Sequence, residues 1–240
     1  MLIDTKHMSP KARSEFYEIL ENDYRGEELP IIHSHGAVNG IKTLKESAKN
    51  NSCYALDKNS FVSRWGINLT DEDIEKTFKS NGLIGVLLHE GRVPGQLFKD
   101  EKKKLDKNDV QGLEDLYQKL LWTNILHIVR VQKDYTTSQH IDRDPWEGLA
   151  IGSDYDGIVD PFDDYEGIKD YNELREEMIR YIDQEKEILN AVTNEPLTLS
   201  EIKNLFGQKS AKECIEQLFI GNMYTFLSNY FTTTYLENHN

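Results

Sequence analysis

Short apolar runs alternate along this chain with longer segments in which apolar residues recur at helical spacing. Short, mostly apolar runs that end in glycine or polar residues are typical of buried strands. This pattern predicts strands over residues 2–7, 30–34, 83–88 and 149–153. Each predicted strand is followed by a segment that is long enough to hold at least one helix.

Helix start signals follow the predicted strands. Ser9 and Pro10 place a hydroxyl cap before a proline at the first helical position, which predicts a helix over residues 10–26. Thr70 and the three acidic residues after it predict a second helix that ends before Gly82. A long helix is predicted around the apolar residues of 113–128, and another over residues 171–189. Two further helices are predicted from capping boxes, one formed by Thr198 with Glu201 and one by Ser210 with Glu213.

This alternation of strands and helices predicts an α/β fold with a parallel sheet. A (β/α)8 barrel of the TIM-barrel type contains eight such units, whereas four are found here, so we expect about half of a barrel. Residues 1–240 are interpreted as one domain. Within it, residues 95–147 form an insertion and a long helix, and residues 165–240 contain the C-terminal helices.

The composition narrows the expected partners. The chain has 28 Lys and Arg against 42 Asp and Glu, a formal charge of −14. This charge repels phosphate backbones, so we expect small-molecule partners and no nucleic acid. Neither a membrane-spanning run nor a signal peptide is found, which makes the cytoplasm the default location. Cys53 and Cys214 lack a metal-binding spacing and are interpreted as ordinary thiols.

Histidine and aspartate stand at the ends of three predicted strands. His7 ends the first strand, His35 follows the second, and Asp154 follows the fourth. Because the carboxyl ends of parallel strands meet at one edge, we expect these side chains to lie close together. Imidazole and carboxylate are common zinc ligands. The pattern therefore predicts a metal-centred pocket, with His7 and His35 as ligands and Asp154 as general base.

Side-chain alternation along the strands predicts how the residues next to these groups are oriented. Lys6 and His7 must point to opposite faces while the first strand lasts, and we expect His7 to point inward. His33 shares a face with His35 but sits two residues deeper. We therefore expect His33 to support the pocket or to pack beneath it.

The sequence leaves the roles of several other polar residues open. His89, Glu90 and Arg92 follow the third strand, either as functional groups at the same edge or as an exposed polar turn. Asp156 precedes Gly157 and is interpreted as a turn residue. Surface or structural roles are expected for the three remaining histidines, His127, His140 and His239.

Three segments carry a family resemblance. They are Ile3-Asp4 through His7-Met8-Ser9, Pro30-Ile31-Ile32 with Ser34-His35, and Gly152-Ser153-Asp154-Tyr155-Asp156-Gly157; further similarities are Asn68 with Asp71 and Glu72, and Gly221 with Asn222. In this order they resemble the membrane (renal) dipeptidase family, peptidase family M19, among the amidohydrolase-like metal-dependent hydrolases. The resemblance covers the whole chain but only the C-terminal half of the family's barrel.

The resemblance implies roles for four residues. His7 and His35 would be zinc ligands on the fifth and sixth barrel strands, and Asp154 on the eighth would be the catalytic carboxylate. Arg64 would bind the substrate carboxylate through paired hydrogen bonds. The family's complete site holds two zinc ions, and its remaining ligands belong to the N-terminal half.

The sequence thus predicts a zinc-dependent, dipeptidase-like hydrolase whose complete form cleaves small dipeptides. One alternative is a non-catalytic fragment that acts as an assembly partner of an N-terminal half-barrel or of a second copy of the chain. Another alternative is a different amidohydrolase-type hydrolase, either a lactonase or a TatD-like nuclease. The negative net charge of the chain disfavours the nuclease. If the N-terminal half of the barrel carries a signal peptide, the protein would be secreted or periplasmic.

Overall fold

Four parallel strands form the centre of the protein. The computed structural model describes residues 2–25, 27, 29–49, 58–106, 108–163 and 165–238. Its strands are β1 (Ile3–Asp4), β2 (Ile31–Gly36), β3 (Leu83–Val86) and β4 (Leu149–Ile151), and they pair in sequential order. Every neighbouring pair is parallel, which confirms the predicted α/β class and the parallel sheet.

Helices connect and follow the strands. They are α1 (Pro10–Asp23), α2 (Leu44–Lys49), α3 (Asp71–Lys79), α4 (Gln96–Lys102), α5 (Val110–Gln139), α6 (Tyr171–Asp183), α7 (Leu199–Phe206), α8 (Ala211–Glu216), α9 (Asn222–Tyr230) and α10 (Thr233–Asn238). A 3₁₀ turn, Ile168–Asp170, precedes α6, and a π-turn, Gln217–Gly221, joins α8 to α9. None of the helices in the described part of the chain has the length and apolarity to cross a membrane.

The two faces of the sheet pack against different helices. Ile84 and Leu149 belong to the main core, which includes the buried faces of α3 and α5. Their chain neighbours Leu83 and Ala150 lie on the opposite face by strand alternation, where they cluster with Phe226 of α9. Apolar side chains therefore cover the sheet from both sides.

The predicted elements agree with the structure in type but differ in length. The caps predicted at Ser9, Thr70, Thr198 and Ser210 all accept hydrogen bonds from the first turns of their helices. α2 and α4 were not predicted, because both are short and the second lies in a charge-rich segment. The helix predicted over residues 171–189 ends at Asp183, and Glu185 then adopts a left-handed conformation. Gly26, the predicted end of α1, lies outside the described residues.

A buried ion pair joins α1 to α3. Arg13 Nε lies 2.9 Å from Asp73 Oδ1, and both side chains are fully buried. The other nitrogens of Arg13 donate to the carbonyls of Met8, Gly66 and Asn68. Asp73 in turn accepts hydrogen bonds from the Tyr17 hydroxyl and from the backbone and side chain of Thr70. The guanidinium and the carboxylate therefore join α1 and α3 to the backbone at Met8 and to the loop that contains Gly66 and Asn68.

We expect Asp73→Asn to lower the free energy of unfolding by about 3–5 kcal/mol, because it leaves the Arg13 cation buried without a counter-charge. Urea denaturation measures this change. The matched control is Glu15→Gln, which breaks the exposed pair of Glu15 with Lys11 and should cost about 0.5 kcal/mol or less. Equal losses in the two variants would contradict the role given to the buried pair.

A second polar network joins α3 to α5. The buried His127 ring contacts Asp71 Oδ1 through Nε2 at 2.7 Å and Arg130 Nη2 through Nδ1 at 2.8 Å. Arg130 can only donate, so Nδ1 accepts and the ring proton lies on Nε2. Burial lowers the pKa of His127, as do the charges of Arg130 and Arg64, against the opposing effect of Asp71. Of the two roles expected for His127, surface or structural, its burial and contacts favour the structural one.

His127 should therefore make the fold less stable at acidic pH. A folded-state pKa below the usual value means that the unfolded chain binds the proton first, so stability is present above pH of about 6.5 and is lost as the pH falls. The loss is at most about 1.4 kcal/mol per pH unit for one imidazole. In His127→Gln, urea unfolding at pH 5 to 8 should show a shallower pH slope, and an unchanged slope would exclude this role.

Candidate functional site

His7, His35 and Asp154 meet at the carboxyl edge of the sheet. The ring centroids of His7 and His35 lie 5.1 Å apart. His35 Nε2 lies 3.5 Å from Asp154 Oδ2. The three residues come from the segments after β1, within β2 and after β4, as the sequence predicts for a shared site.

Two of the three residues occupy left-handed backbone conformations. The φ angle is 70° at His7 and 58° at Asp154. Non-glycine residues adopt this region at a cost, and such residues cluster at functional sites. At Asp154 the conformation belongs to a tight turn, in which the Gly157 amide donates to the Asp154 carbonyl at 2.9 Å. At His7 it bends the chain between β1 and α1.

β1 ends earlier than predicted, so side-chain alternation does not decide the orientations of Lys6 and His7, although His7 lies beside His35 at the edge where the pocket is expected. β1 ends at Asp4, and the Lys6 amide donates to Asp4 Oδ1 while the Met8 amide donates to the Thr5 carbonyl. Strand alternation does not apply inside this turn. Lys6 is consequently buried, with 6% of its surface exposed, whereas His7 is exposed beside His35.

His35 is held in a defined orientation. Its Nδ1 lies 2.9 Å from the Ser34 hydroxyl, which leaves Nε2 facing Asp154. Burial lowers the pKa of His35, and so does the charge of Lys6, while Asp154 opposes them. The imidazole is therefore mainly neutral at pH 7, the form in which histidine binds a metal ion.

His33 packs beneath this edge, as predicted. Its ring is fully buried, and Nδ1 lies 3.2 Å from the Thr5 hydroxyl. Burial, followed by the charge of Lys6, holds the pKa of His33 well below its usual value. Gly36 allows the ring to lie against the backbone, since a Cβ at Gly36 would come within 2.6 Å of His33 Nε2.

The segment after β3 contributes two groups to the same region. Burial lowers the pKa of His89, followed by the charge of Arg92, and the charges of Lys6 and Asp154 also act on it. Burial lowers the pKa of Lys6 to about 8, and the charge of Arg92 acts in the same direction. Glu90 instead pairs with Lys102, at 2.6 Å, and belongs to a structural ion pair. The sequence leaves the roles of His89 and Arg92 open, and it does not predict that Lys6 is buried in this region.

Hydrogen bonds to two loops hold the Arg64 side chain in position. Its guanidinium donates to the carbonyls of Asn39 and Val192, at 2.6 and 3.1 Å. Its charge also acts on the buried His127. A substrate-binding role for Arg64 stays a prediction.

Within the described ranges, no three His, Cys, Asp or Glu residues form a group that could hold a metal ion. Cys214 is a buried free thiol whose pKa burial raises to about 12, so its interpretation as an ordinary thiol is confirmed. Cys53 and His239 lie outside the described residues.

No protein-family model and no curated protein matches this chain.

The segment that carries Asp154 depends on close packing of glycines. A Cβ at Gly152 would lie 2.1 Å from the Ser34 carbonyl oxygen and 2.8 Å from the Cα of Gly85. We expect Gly152→Ala to lower the free energy of unfolding by about 1–3 kcal/mol through this overlap. The control is Gly167→Ala, where a Cβ meets nothing within 4 Å and φ is −163°. Urea denaturation of both variants checks this, and equal stabilities would contradict the packing argument.

Proposed function

We propose that this chain is the C-terminal half of a zinc-dependent, dipeptidase-like (β/α) barrel whose complete form hydrolyses small dipeptides. The observation that supports it best is the meeting of His7, His35 and Asp154 at one edge of the sheet. These are two imidazoles and one carboxylate, contributed by three different strand ends. Active groups of (β/α) barrels lie at this edge.

The sheet topology is compatible with a half-barrel. Consecutive strands are parallel neighbours, in the order β1-β2-β3-β4, and helices connect them. A closed barrel adds strands in this same sequential order until there are eight. In the proposal, the other four units come from an N-terminal half-barrel or from a second copy of the chain.

The residues fit part of a zinc site. Histidine nitrogen is a common ligand of zinc, and the rings of the two proposed ligands, His7 and His35, lie beside each other with centroids 5.1 Å apart. Asp154 Oδ2 lies 3.5 Å from His35 Nε2, so the proposed general base is close to one of these ligands. The Ser34 hydroxyl on Nδ1 of His35 is the kind of supporting contact that orients a ligating imidazole.

In the proposed mechanism, His7 and His35 would hold the ion and Asp154 would move the proton. When bound there, zinc would supply a Lewis acid that makes water a stronger nucleophile at neutral pH. Asp154 accepts the proton of the attacking water and returns it to the leaving amine, which is the role of a general base and acid. Its left-handed turn points the carboxylate at His35, as the distance between them shows.

A non-catalytic role is the second candidate. It is favoured by the lack of a three-ligand group among the residues that the structure describes. In this role the chain would act as an assembly partner of the other half-barrel. Zinc content separates the two candidates, because an assembly partner without a metal site retains none.

Zinc content and hydrolysis together test the proposal. After dialysis against metal-free buffer, the assembled protein should retain zinc, and His7→Ala or His35→Ala should lower the zinc content per chain. Asp154→Asn should retain zinc but lower the rate of dipeptide hydrolysis by about 100-fold or more, because a general base contributes about 10²–10⁴-fold.

The matched control is His140→Gln, which changes an exposed histidine at the end of α5. It should leave both zinc content and hydrolysis unchanged. Zinc retention that does not depend on His7 or His35 would overturn the assignment of the ligands. Full activity in Asp154→Asn would overturn its role as the general base.

A further inference from the structure

The Asp4 carboxylate joins the two chain segments that carry His7 and His35. Its Oδ1 atom accepts a hydrogen bond from the Lys6 amide at 2.9 Å and another from the Ser34 amide at 3.1 Å. Lys6 directly precedes His7, and Ser34 directly precedes His35. A single oxygen atom therefore holds the backbone immediately before each of the two histidines.

This carboxylate takes a place in the sheet that a backbone carbonyl would otherwise occupy. The Thr5 amide donates to the Ile32 carbonyl at 2.8 Å, so in a continued parallel ladder the Ser34 amide would donate to the Thr5 carbonyl. The chain turns instead, and the Thr5 carbonyl accepts from the Met8 amide at 3.2 Å. Asp4 Oδ1 supplies the acceptor for Ser34. The side chain of the last β1 residue thus extends the pairing of β1 with β2 beyond the end of the strand.

The position of the His7 ring depends on this turn. His7 has a φ angle of 70°, a left-handed conformation that persists only where surrounding contacts fix it. The bond from the Lys6 amide closes the turn just before His7, and the bond from the Ser34 amide ties the same carboxylate to β2. Hydrogen bonds to an ionised acceptor are stronger than those between neutral groups. The carboxylate is therefore well suited to hold the two segments together.

The bond to Ser34 distinguishes Asp4 from an ordinary turn residue. Asp106 Oδ1 also accepts from the amide two residues ahead, that of Asn108, at 2.9 Å. This is the usual local hydrogen bond of an aspartate at a turn. Asp4 makes the same local bond and in addition binds the Ser34 amide, 30 residues away in the sequence. Loss of the Asp4 carboxylate should therefore change the relative position of two segments, whereas loss of the Asp106 carboxylate affects its own turn.

We propose that Asp4 is a positioning residue that sets the separation of His7 and His35 at the sheet edge. This inference deepens the proposed function, and it rests on that function for the role of the two histidines as zinc ligands. The positioning itself needs no zinc, because both hydrogen bonds lie within the chain. It can therefore be measured on the metal-free protein, separately from zinc retention.

The first test is nuclear magnetic resonance of the metal-free, 240-residue chain. The rings of His7 and His35, with centroids 5.1 Å apart, are close enough for a nuclear Overhauser contact between their protons. Asp4→Ala should weaken this contact. It should also speed hydrogen exchange of the Ser34 amide by about tenfold or more, since a hydrogen bond to a charged group is lost. Asp4→Asn should retain the contact, because its side-chain oxygen can accept the same two bonds.

Zinc affinity of the assembled protein is the second readout. Asp4→Ala should weaken zinc binding by about tenfold or more, as is typical when a group that orients a metal ligand is removed. Asp4→Asn should restore most of the affinity, because it restores the acceptor. The matched control is Asp106→Ala, which removes the comparable local bond in the loop between α4 and α5. It should leave both the histidine contact and zinc binding unchanged.

The outcomes separate this inference from the proposed function. A histidine contact and a Ser34 exchange rate that are the same in the parent chain and in Asp4→Ala would overturn the positioning role. A Ser34 amide that exchanges in the parent chain as fast as an unprotected amide would do so too, and this measurement requires no variant to fold. If the parent protein retains no zinc while the histidine contact still depends on Asp4, the proposed function fails and the positioning role stands.

Discussion

The buried pair of Arg13 and Asp73 is the constraint on which the site depends. Arg13 lies in α1, yet its guanidinium binds the carbonyl of Met8, which directly follows His7. Asp73, in the first turn of α3, accepts from the N-cap residue Thr70 and also holds the Nε side of the guanidinium. A planar guanidinium offers its donors in a fixed arrangement. The turn that presents His7 is consequently fixed relative to two helices, and the strained φ angle at His7 can persist because the surrounding contacts outweigh its cost.

The sheet supplies the second constraint, which is the short distance between strands at their carboxyl ends. Gly85 and Gly152 pack against the Ser34 carbonyl, where any Cβ would overlap with backbone atoms. Side chains are thus excluded at these two positions, and His7 and Asp154 lie in the turns that follow β1 and β4, whereas His35 lies near the end of β2. His35 and Asp154 approach each other because β2 and β4 are separated only by β3, which ends in this glycine-lined region.

Much of the fold could be predicted from the sequence, because local signals determine most of it. The caps at Ser9, Thr70, Thr198 and Ser210 act within one helical turn, and the apolar runs identify all four strands. The meeting of His7, His35 and Asp154 follows from parallel topology alone. Lys6 could not be predicted in the same way. Its burial depends on β1 ending at Asp4, whose carboxylate accepts the Lys6 amide, and this strand end is set by tertiary contacts with β2. Likewise, the contacts of Arg64 with Asn39 and Val192 join residues that are distant in the sequence.

The charges around the site bear on whether a metal ion could be held there. Lys6 repels a cation beside His35, whereas Asp4 and Asp154 attract it. Charges of both signs thus act on this edge of the sheet. The net charge of −14 has little influence on this balance, because charges farther apart than about 8–10 Å are largely screened at physiological salt. Retention of an ion would therefore depend mainly on its direct ligands, and in the proposal the ligands that are needed besides His7 and His35 come from the other half-barrel.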